Sequence, residues 1–444
     1  MAELVQRSKF TDSGFAWIVT VASFLALYAL AANIFSLGVL LPDLLEHFQV
    51  PQGMLGMLGS TKMFICDVTC GTLIGPLVRK VGCRPLAMVG LALSAVGYLS
   101  AAFANNYYSF LIMFSILPGL GQAGIVIPCN VIVHQYHRKR RALASGLSTV
   151  GMSLASFSFP VIMRLTIQSF GWRASLVLTA AIHVQMVAAA MMFMPNPDLR
   201  VKLTPRHPDK TGTMDDALET DKKEVNAQEA DESNEPSKKC NVDFSIFRNP
   251  AFLLYLFGTP LALCGASVFI GFALQRAVYQ GIEPVHASFV LSSFGIGSFF
   301  GRITSGFIAN LRCTRIDLQA AGCLFAAGVT SGVSALAGSS LILHSIFTGC
   351  FGFLNGAQHS LHSTILVQIV GIDELARALG FVQMAKCVLA AVALPVAGLL
   401  FDVTQSYTLT FLVTGAALVV SSALYLCSGI ANRRRVRNML NAME

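Results

Sequence analysis

The sequence predicts an all-α polytopic membrane protein of twelve transmembrane helices, arranged as two six-helix halves. Three observations predict it: charge is scarce, apolar runs of spanning length recur, and Lys and Arg alternate between successive loops. Of the 444 residues, 54% are hydrophobic and 12% charged, and the mean hydropathy is +0.64. A soluble domain carries roughly 25% charged residues. A deficit spread over the whole chain implies a surface that faces lipid, which argues against a soluble enzyme.

A bilayer core needs about 20 apolar residues per helix. Six runs of that kind come first, at 15–41, 54–78, 85–104, 109–136, 142–166 and 174–194. Six more follow at 251–275, 287–310, 317–338, 341–370, 378–401 and 408–430. The first run is long enough to span and lacks a small-residue cleavage site, so it is expected to stay in the mature chain.

Between the two sets, residues 196–249 hold twelve of the 23 acidic residues, with Lys, Asn and Pro. Such a segment cannot bury enough apolar surface to fold and reads as a largely disordered cytoplasmic linker. The expected organisation is an N-terminal half at 1–195, this linker, and a C-terminal half at 250–444 with a short basic tail.

Basic residues mark one side of the membrane. They are Arg7 and Lys9; Arg79, Lys80 and Arg84; Arg138 to Arg141; Arg312 and Arg315; Arg377; and Arg433, Arg434, Arg435 and Arg437. The opposite loops near 42–53, 105–108, 339–340 and 402–407 carry none, and only Arg164, Arg173 and Arg276 lie near that side. By the positive-inside rule both termini and the linker are cytoplasmic, which requires an even number of spans. The net charge of +8 therefore reflects topology, and no nucleic-acid partner is expected. The eleven cysteines are scattered, mostly within apolar runs, without metal-ligand spacing, so no metal or cofactor is expected. Gly119-Leu-Gly-Gln-Ala-Gly124 has the spacing of a dinucleotide fingerprint, but no strand precedes it and it lies inside an apolar run.

The halves echo one another. Gly75-Pro-Leu-Val-Arg-Lys-Val-Gly-Cys-Arg84 follows the second span and Gly306-Phe-Ile-Ala-Asn-Leu-Arg312 the eighth, the organisation of a parallel-repeat transporter. The first of these segments resembles the loop signature of the major facilitator superfamily, Gly-x-Leu-x-Asp-Arg-x-Gly-x-Arg, with Arg79 at the acidic position. Three further segments narrow the likeness to the monocarboxylate transporter family. Asp12-Ser-Gly-Phe-Ala-Trp17 resembles the Asp-Gly-Gly-Trp-Gly-Trp that opens its first helix. Tyr136-His-Arg-Lys-Arg-Arg-Ala-Leu-Ala-Ser-Gly-Leu-Ser-Thr-Val-Gly151 is similar to its second signature, and Phe170-Gly-Trp-Arg-Ala-Ser175 to the start of its sixth helix. The second half is matched more loosely, through Arg302 with Gly306 to Asn310 and through Gly349 to Phe353.

That resemblance implies a plasma-membrane secondary transporter of a small monocarboxylate or related organic anion, working by alternating access. A facilitative carrier of a creatine-like or amino-acid zwitterion, and a non-transporting sensor, are the alternatives. A single-span ancillary glycoprotein is neither implied nor ruled out.

A charge near the bilayer centre costs at least roughly 2.5–3.5 kcal/mol, so each one is a candidate for function. Arg302 is the foremost. The resemblance implies a role in holding the substrate carboxylate, which a guanidinium matches with two parallel hydrogen bonds; the other reading is structural, on a helix carbonyl. The family carries an Asp one turn earlier, where this chain has Ser298, and a Lys on the first helix, where it has Phe35. Both residues are linked to proton coupling in the family, so the usual proton machinery is expected to be missing. Superposing the halves on Gly75 and Gly306 sets Asp67 on Ser298. Asp67 and Lys386 lie at similar depth on helices that face each other in this architecture. A direct buried pair between them is expected, as a gate, a proton site or a lock. Lys62 is expected either to snorkel to the outer interface or to act as a ligand. Asn355, Gln358, His359 and His362 share one face of span ten and are expected to line a cavity or to join helices.

Overall fold

A computed structural model describes residues 11–50, 52–195, 244–311, 314–335 and 338–441. Among them every regular element is helical. Span one is Gly14–Phe48, and span two runs Gln52–Thr69, Cys70–Ile74 and Gly75–Val81. Span three is Cys83–Ala101; span four runs Tyr107–Leu111, Ile112–Ile116 and Leu117–Tyr136. Spans five and six are merged in Arg141–Ala190 and separated at Gly171, whose φ of 81° no L side chain adopts readily. The second half holds span seven (Pro250–Tyr279), eight (Pro284–Ala309), nine (Ile316–Ser334), ten (Leu341–Val370), eleven (Leu375–Thr404) and twelve (Tyr407–Asn441).

Eight of these elements are long and apolar enough to cross a bilayer, the merged five–six helix counting as one. Spans eight, ten and eleven are 26, 30 and 30 residues long, enough at about 1.5 Å per residue. They carry the buried polar residues described below, which dilute their apolar character. Span one continues to Phe48, past the expected end at 41. The linker expected at 196–249 falls on residues outside the described set up to 243; its end, Phe244–Arg248, is a 3-10 turn.

Two spans are interrupted where proline dictates it. The wide turns at Cys70–Ile74 and Ile112–Ile116 each lie just before a proline, Pro76 and Pro118. Proline lacks the N–H for an i to i−4 bond, and the helix accommodates the lost bond by one widened turn. Asn249 caps span seven by accepting from the Ala251 N–H at 3.1 Å, with Pro250 at the first helical position, where its missing N–H costs nothing.

The halves are joined toward the basic side of the membrane. Spans two and eleven meet so closely there that a Cβ on Gly380 would lie 2.7 Å from the Cys70 carbonyl oxygen. Spans five and eight meet likewise, a Cβ on Gly146 falling 2.8 Å from the Arg302 carbonyl oxygen. Only glycine permits that separation. At the rim, Arg79 pairs with Glu374 at 2.7 Å, and Arg377 pairs with the same carboxylate at 3.0 Å. Where the superfamily signature has an acid, this chain places a base, and the acid comes from the start of span eleven.

The other signature segments fold into one knot at the same end. Asp12 accepts from the backbone N–H groups of Arg138 and Lys139, and its own N–H donates to the Tyr136 carbonyl. His137 is buried between the Thr20 hydroxyl at 2.9 Å and the Ala16 carbonyl at 3.2 Å. Arg141 donates to the His137 carbonyl. The segment before span one and the loop between spans four and five therefore explain each other: one supplies a carboxylate, the other unpaired loop donors.

Candidate functional site

Arg302 sits on span eight, 7% exposed, at the junction of the halves. Its Nη1 donates to the Thr149 carbonyl of span five at 3.1 Å, and its Nε donates to the Ser298 hydroxyl one turn earlier at 3.4 Å. The Ser298 hydroxyl also bonds Ser153 of span five at 3.1 Å. A guanidinium has five donors, so these two contacts leave most of the fork for another acceptor. Thr149 and Ser153 were not singled out in the sequence, where they read as small polar residues of an ordinary helix.

The direct Asp67–Lys386 pair expected from the sequence is not what forms. Gln383 stands between them: its Nε2 donates to Asp67 Oδ1 at 3.3 Å, and its Oε1 accepts from Lys386 Nζ at 2.9 Å. Gln383 lies one turn before Lys386, so the spacing was visible, but an amide in an apolar run gives no sign of which partner it serves. An amide carries both a donor and an acceptor, so Gln383 meets the carboxylate with one end and the ammonium with the other.

The four polar residues of span ten divide. His359 is half-buried and lies within electrostatic reach of both Arg302 and Lys386. Asn355 is half-buried on the same side of the helix. Gln358 and His362 instead turn into the C-terminal half. Gln358 Nε2 donates to the Tyr425 hydroxyl at 3.0 Å, and His362 Nδ1 meets the Tyr255 hydroxyl at 2.6 Å. Of the two places expected for them, a cavity lining or a join between helices, they take the second, in an aromatic network with Thr259, Tyr255 and Tyr425. A helix face is wider than a cavity, and spans seven and twelve cover one flank of it.

Lys62 does not snorkel. It is 2% exposed, with its ammonium 4.7 Å from the Phe114 ring centroid and 6.0 Å from that of Tyr98. Aromatic faces supply part of the stabilisation that water would give a cation. Its place is in the core of the N-terminal half, apart from Arg302. The side chain of Phe35 lies outside the described residues. A further buried charge is Arg276, near the opposite end of the C-terminal half. It donates to the Ser334 hydroxyl and contacts His344, with its guanidinium carbon 4.1 Å from the centre of the Phe411 ring. Its position at the end of an apolar run made it read as a loop residue.

The site is therefore a buried polar layer at the junction of the halves. Arg302, Ser298 and His359 stand on one flank; Asp67, Gln383 and Lys386 on the other. Arg302, Lys386 and Asp67 are all buried there. Over residues 17–361 the sequence matches the family model described as Major Facilitator Superfamily. The chain belongs to the major facilitator superfamily. Within it, the similar curated proteins are monocarboxylate transporters. Monocarboxylate transporter 2 of Mesocricetus auratus is 27% identical over 434 residues, covering 96% of this chain and 86% of that protein. Monocarboxylate transporter 14 of Homo sapiens is 25% identical, covering 92% and 89%. The likeness to that family extends over nearly the whole chain. Among solved structures, the E. coli fucose:proton symporter superposes with a TM-score of 0.67 at 18% identity, covering 93% of this chain and 98% of that one. The proton:xylose symporter XylE gives 0.68 at 11%, covering 94% of each. Both likenesses are of fold. This member of the superfamily is a multi-pass membrane transporter of a small organic solute and not an enzyme.

Proposed function

We propose that the protein is a plasma-membrane secondary transporter of a small monocarboxylate or related organic anion, with both termini cytoplasmic. The observation that carries the reading is Arg302, a buried guanidinium whose present acceptor belongs to the opposite half. A carboxylate arriving in the polar layer competes with the Thr149 carbonyl for the same donors. A charged acceptor is the stronger partner, its hydrogen bonds being worth about 1.5–3 kcal/mol against about 1 for neutral ones. Substrate binding then trades a bond between the halves for a bond to the guest, which is the differential interaction that a rocking transition needs.

The coupling reading follows from Ser298 and Phe35, which stand where the resembling family has its proton-linked acid and lysine. Uptake is expected to run down the solute gradient with weak dependence on an imposed pH step. Asp67 is the remaining carboxylate of the layer and becomes the proton site if such a step drives accumulation.

The test is uptake of lactate-type acids, set against creatine-like and amino-acid zwitterions, in cells expressing the chain. Arg302→Lys keeps the charge and loses the fork, and should lower anion uptake tenfold or more, by loss of about 1.5–3 kcal/mol, at unchanged surface abundance. Near-normal anion uptake by the Lys variant would remove Arg302 from substrate binding. Uptake of zwitterions alone would replace the anion reading.

A further inference from the structure

Span twelve is 35 residues long, about 52 Å of helix against a hydrocarbon core of about 30 Å. Its last turns therefore stand beyond the lipid tails, and they carry Arg433, Arg434, Arg435 and Arg437. Arg433 is paired with Asp317 of span nine. Arg434 and Arg435 are exposed and make no ion pair or hydrogen bond among the described residues.

Beside them, a groove of about 660 Å³ opens between the start of span seven and the end of span twelve. Pro250 forms one wall. The other is a single stripe of span twelve, Cys427, Ile430, Ala431, Arg434 and Arg435, at spacings i, i+3, i+4, i+7 and i+8. The stripe is apolar for its first turn and basic for its second. Cys427 is exposed and Ile430 is 47% exposed, so the apolar part lies on the outer surface of the bundle. The basic part follows one turn beyond, at the depth where headgroups begin.

We propose that this groove binds an anionic phospholipid of the inner leaflet. Its phosphate sits on Arg434 and Arg435, where guanidinium forks match phosphate oxygens, and an acyl chain lies along Cys427, Ile430 and Ala431. The inference goes beyond the transport reading and rests on the basic face being cytoplasmic, the leaflet in which anionic lipids concentrate. The chain's own acidic linker is the competing occupant by charge. Its apolar residues are scattered among charged and polar ones and offer no continuous run for the apolar turn, whereas a lipid satisfies both halves of the stripe. A lipid seated here touches the first residue of span seven and the exposed end of span twelve, and so steadies the C-terminal half at the point where the linker enters it.

The experiment uses the purified full chain in detergent, titrated with dioleoyl-phosphatidylserine or dioleoyl-phosphatidylcholine and read by native mass spectrometry. Phosphatidylserine should bind preferentially. Arg434→Gln with Arg435→Gln should lower its affinity about 30-fold, from roughly 1 kcal/mol per basic residue, with phosphatidylcholine unchanged. Ile430→Gln should weaken phosphatidylserine as well, and glycerophosphoserine, a headgroup without chains, should not displace it. Equal binding of the two lipids, indifference to the arginine pair, or displacement by the free headgroup would overturn the proposal. Neutralising the linker's acidic residues should leave the affinity unchanged; a tightening would show that the linker occupies the groove and would overturn it too. Elution and thermal stability of each variant should match the parent, since the substituted side chains are exposed.

Discussion

The Gln383 bridge makes a prediction that a direct ion pair does not. Asp67 and Lys386 are buried on opposite halves, and each satisfies its charge through one amide. Removing one partner of a buried pair costs about 3–5 kcal/mol because the other charge is left uncompensated. Here the contact is indirect, so the lower figure applies: about 3 kcal/mol, or roughly 150-fold in the folded-to-unfolded ratio. Asp67→Asn and Lys386→Gln should each lower thermal stability in detergent more than the double variant does. Exchanging the charges, Asp67→Lys with Lys386→Asp, should restore most of the loss. The Gln383 amide can turn over and present its oxygen to the new lysine and its nitrogen to the new aspartate. Gln383→Leu should abolish that rescue while lowering the parent's stability by about 3–6 kcal/mol for two charged hydrogen bonds. The measurement is a double-mutant cycle, run once with Gln383 in place and again in the Gln383→Leu background, and read on melting temperature and on uptake per molecule. Rescue that persists without Gln383 would mean that the charges meet directly, and the bridge would be refuted. Restored stability without restored uptake would mean that the polarity of the layer matters to the transport cycle; restoration of both would make the trio a lock.

Two further predictions concern the basic end. Arg79→Glu should open the Arg79–Glu374 clasp and cost at most about 1 kcal/mol in stability, because both side chains are partly exposed. It should nonetheless raise the reactivity, toward a cytoplasmic maleimide, of a cysteine placed on span eleven near Gly380, and Glu374→Arg in the same chain should lower it again; unchanged labelling would show that the glycine contact alone holds this end shut. At the end of span four, burial holds the His137 imidazole below its ordinary value of 6.5, with Asp12 opposing in part. The folded state therefore favours neutral His137, so its contribution to stability is present above pH 6.5 and is lost as pH falls below that value. Melting temperature should drop between pH 7 and pH 5.5, and His137→Gln should flatten the drop; an undiminished slope in that variant would assign it to other groups.

The fold was legible because lipid imposes a coarse rule. Spanning length, basic loops and the mid-chain acidic segment are properties of composition, and they located each helix to within several residues. The break near Gly171 was legible too, since it separates two apolar runs; the knot around Asp12 was not, because its donors lie more than 120 residues away. The site was only partly legible. Hydropathy ranks Arg302, Asp67 and Lys386 as costly in a membrane, which is why they stand out. It is silent on Gln383, Ser153 and the Thr149 carbonyl, whose cost is small and whose partners come from the other half. The helical repeat put Asn355, Gln358, His359 and His362 on one face, yet Gln358 and His362 on that face bond Tyr425 and Tyr255. Which flank each residue takes is set by packing between helices distant in sequence, and Lys62 fails as a snorkelling residue for the same reason.

The layer and the clasp also constrain one another. Arg302 and Gln383 each bond across the halves in the buried layer, while Arg79 and Glu374 do so at the basic rim. A carboxylate guest that draws Arg302 from Thr149 removes one buried bond and leaves the Gln383 bridge and the rim intact. Release toward the basic side requires those to part as well, together with the hydroxyl bonds of Ser153 to Ser298 and of Ser145 to Ser363 between the halves. The exposed rim pair is cheap to break, and water can take over both charges. The Asp67–Gln383–Lys386 bridge is buried and has no such substitute unless the guest or a proton supplies it. That asymmetry makes the bridge the step at which binding energy has to be used. It also accounts for how a chain without the family's usual proton-linked pair can still tie a charged residue in each half to the state of its substrate site.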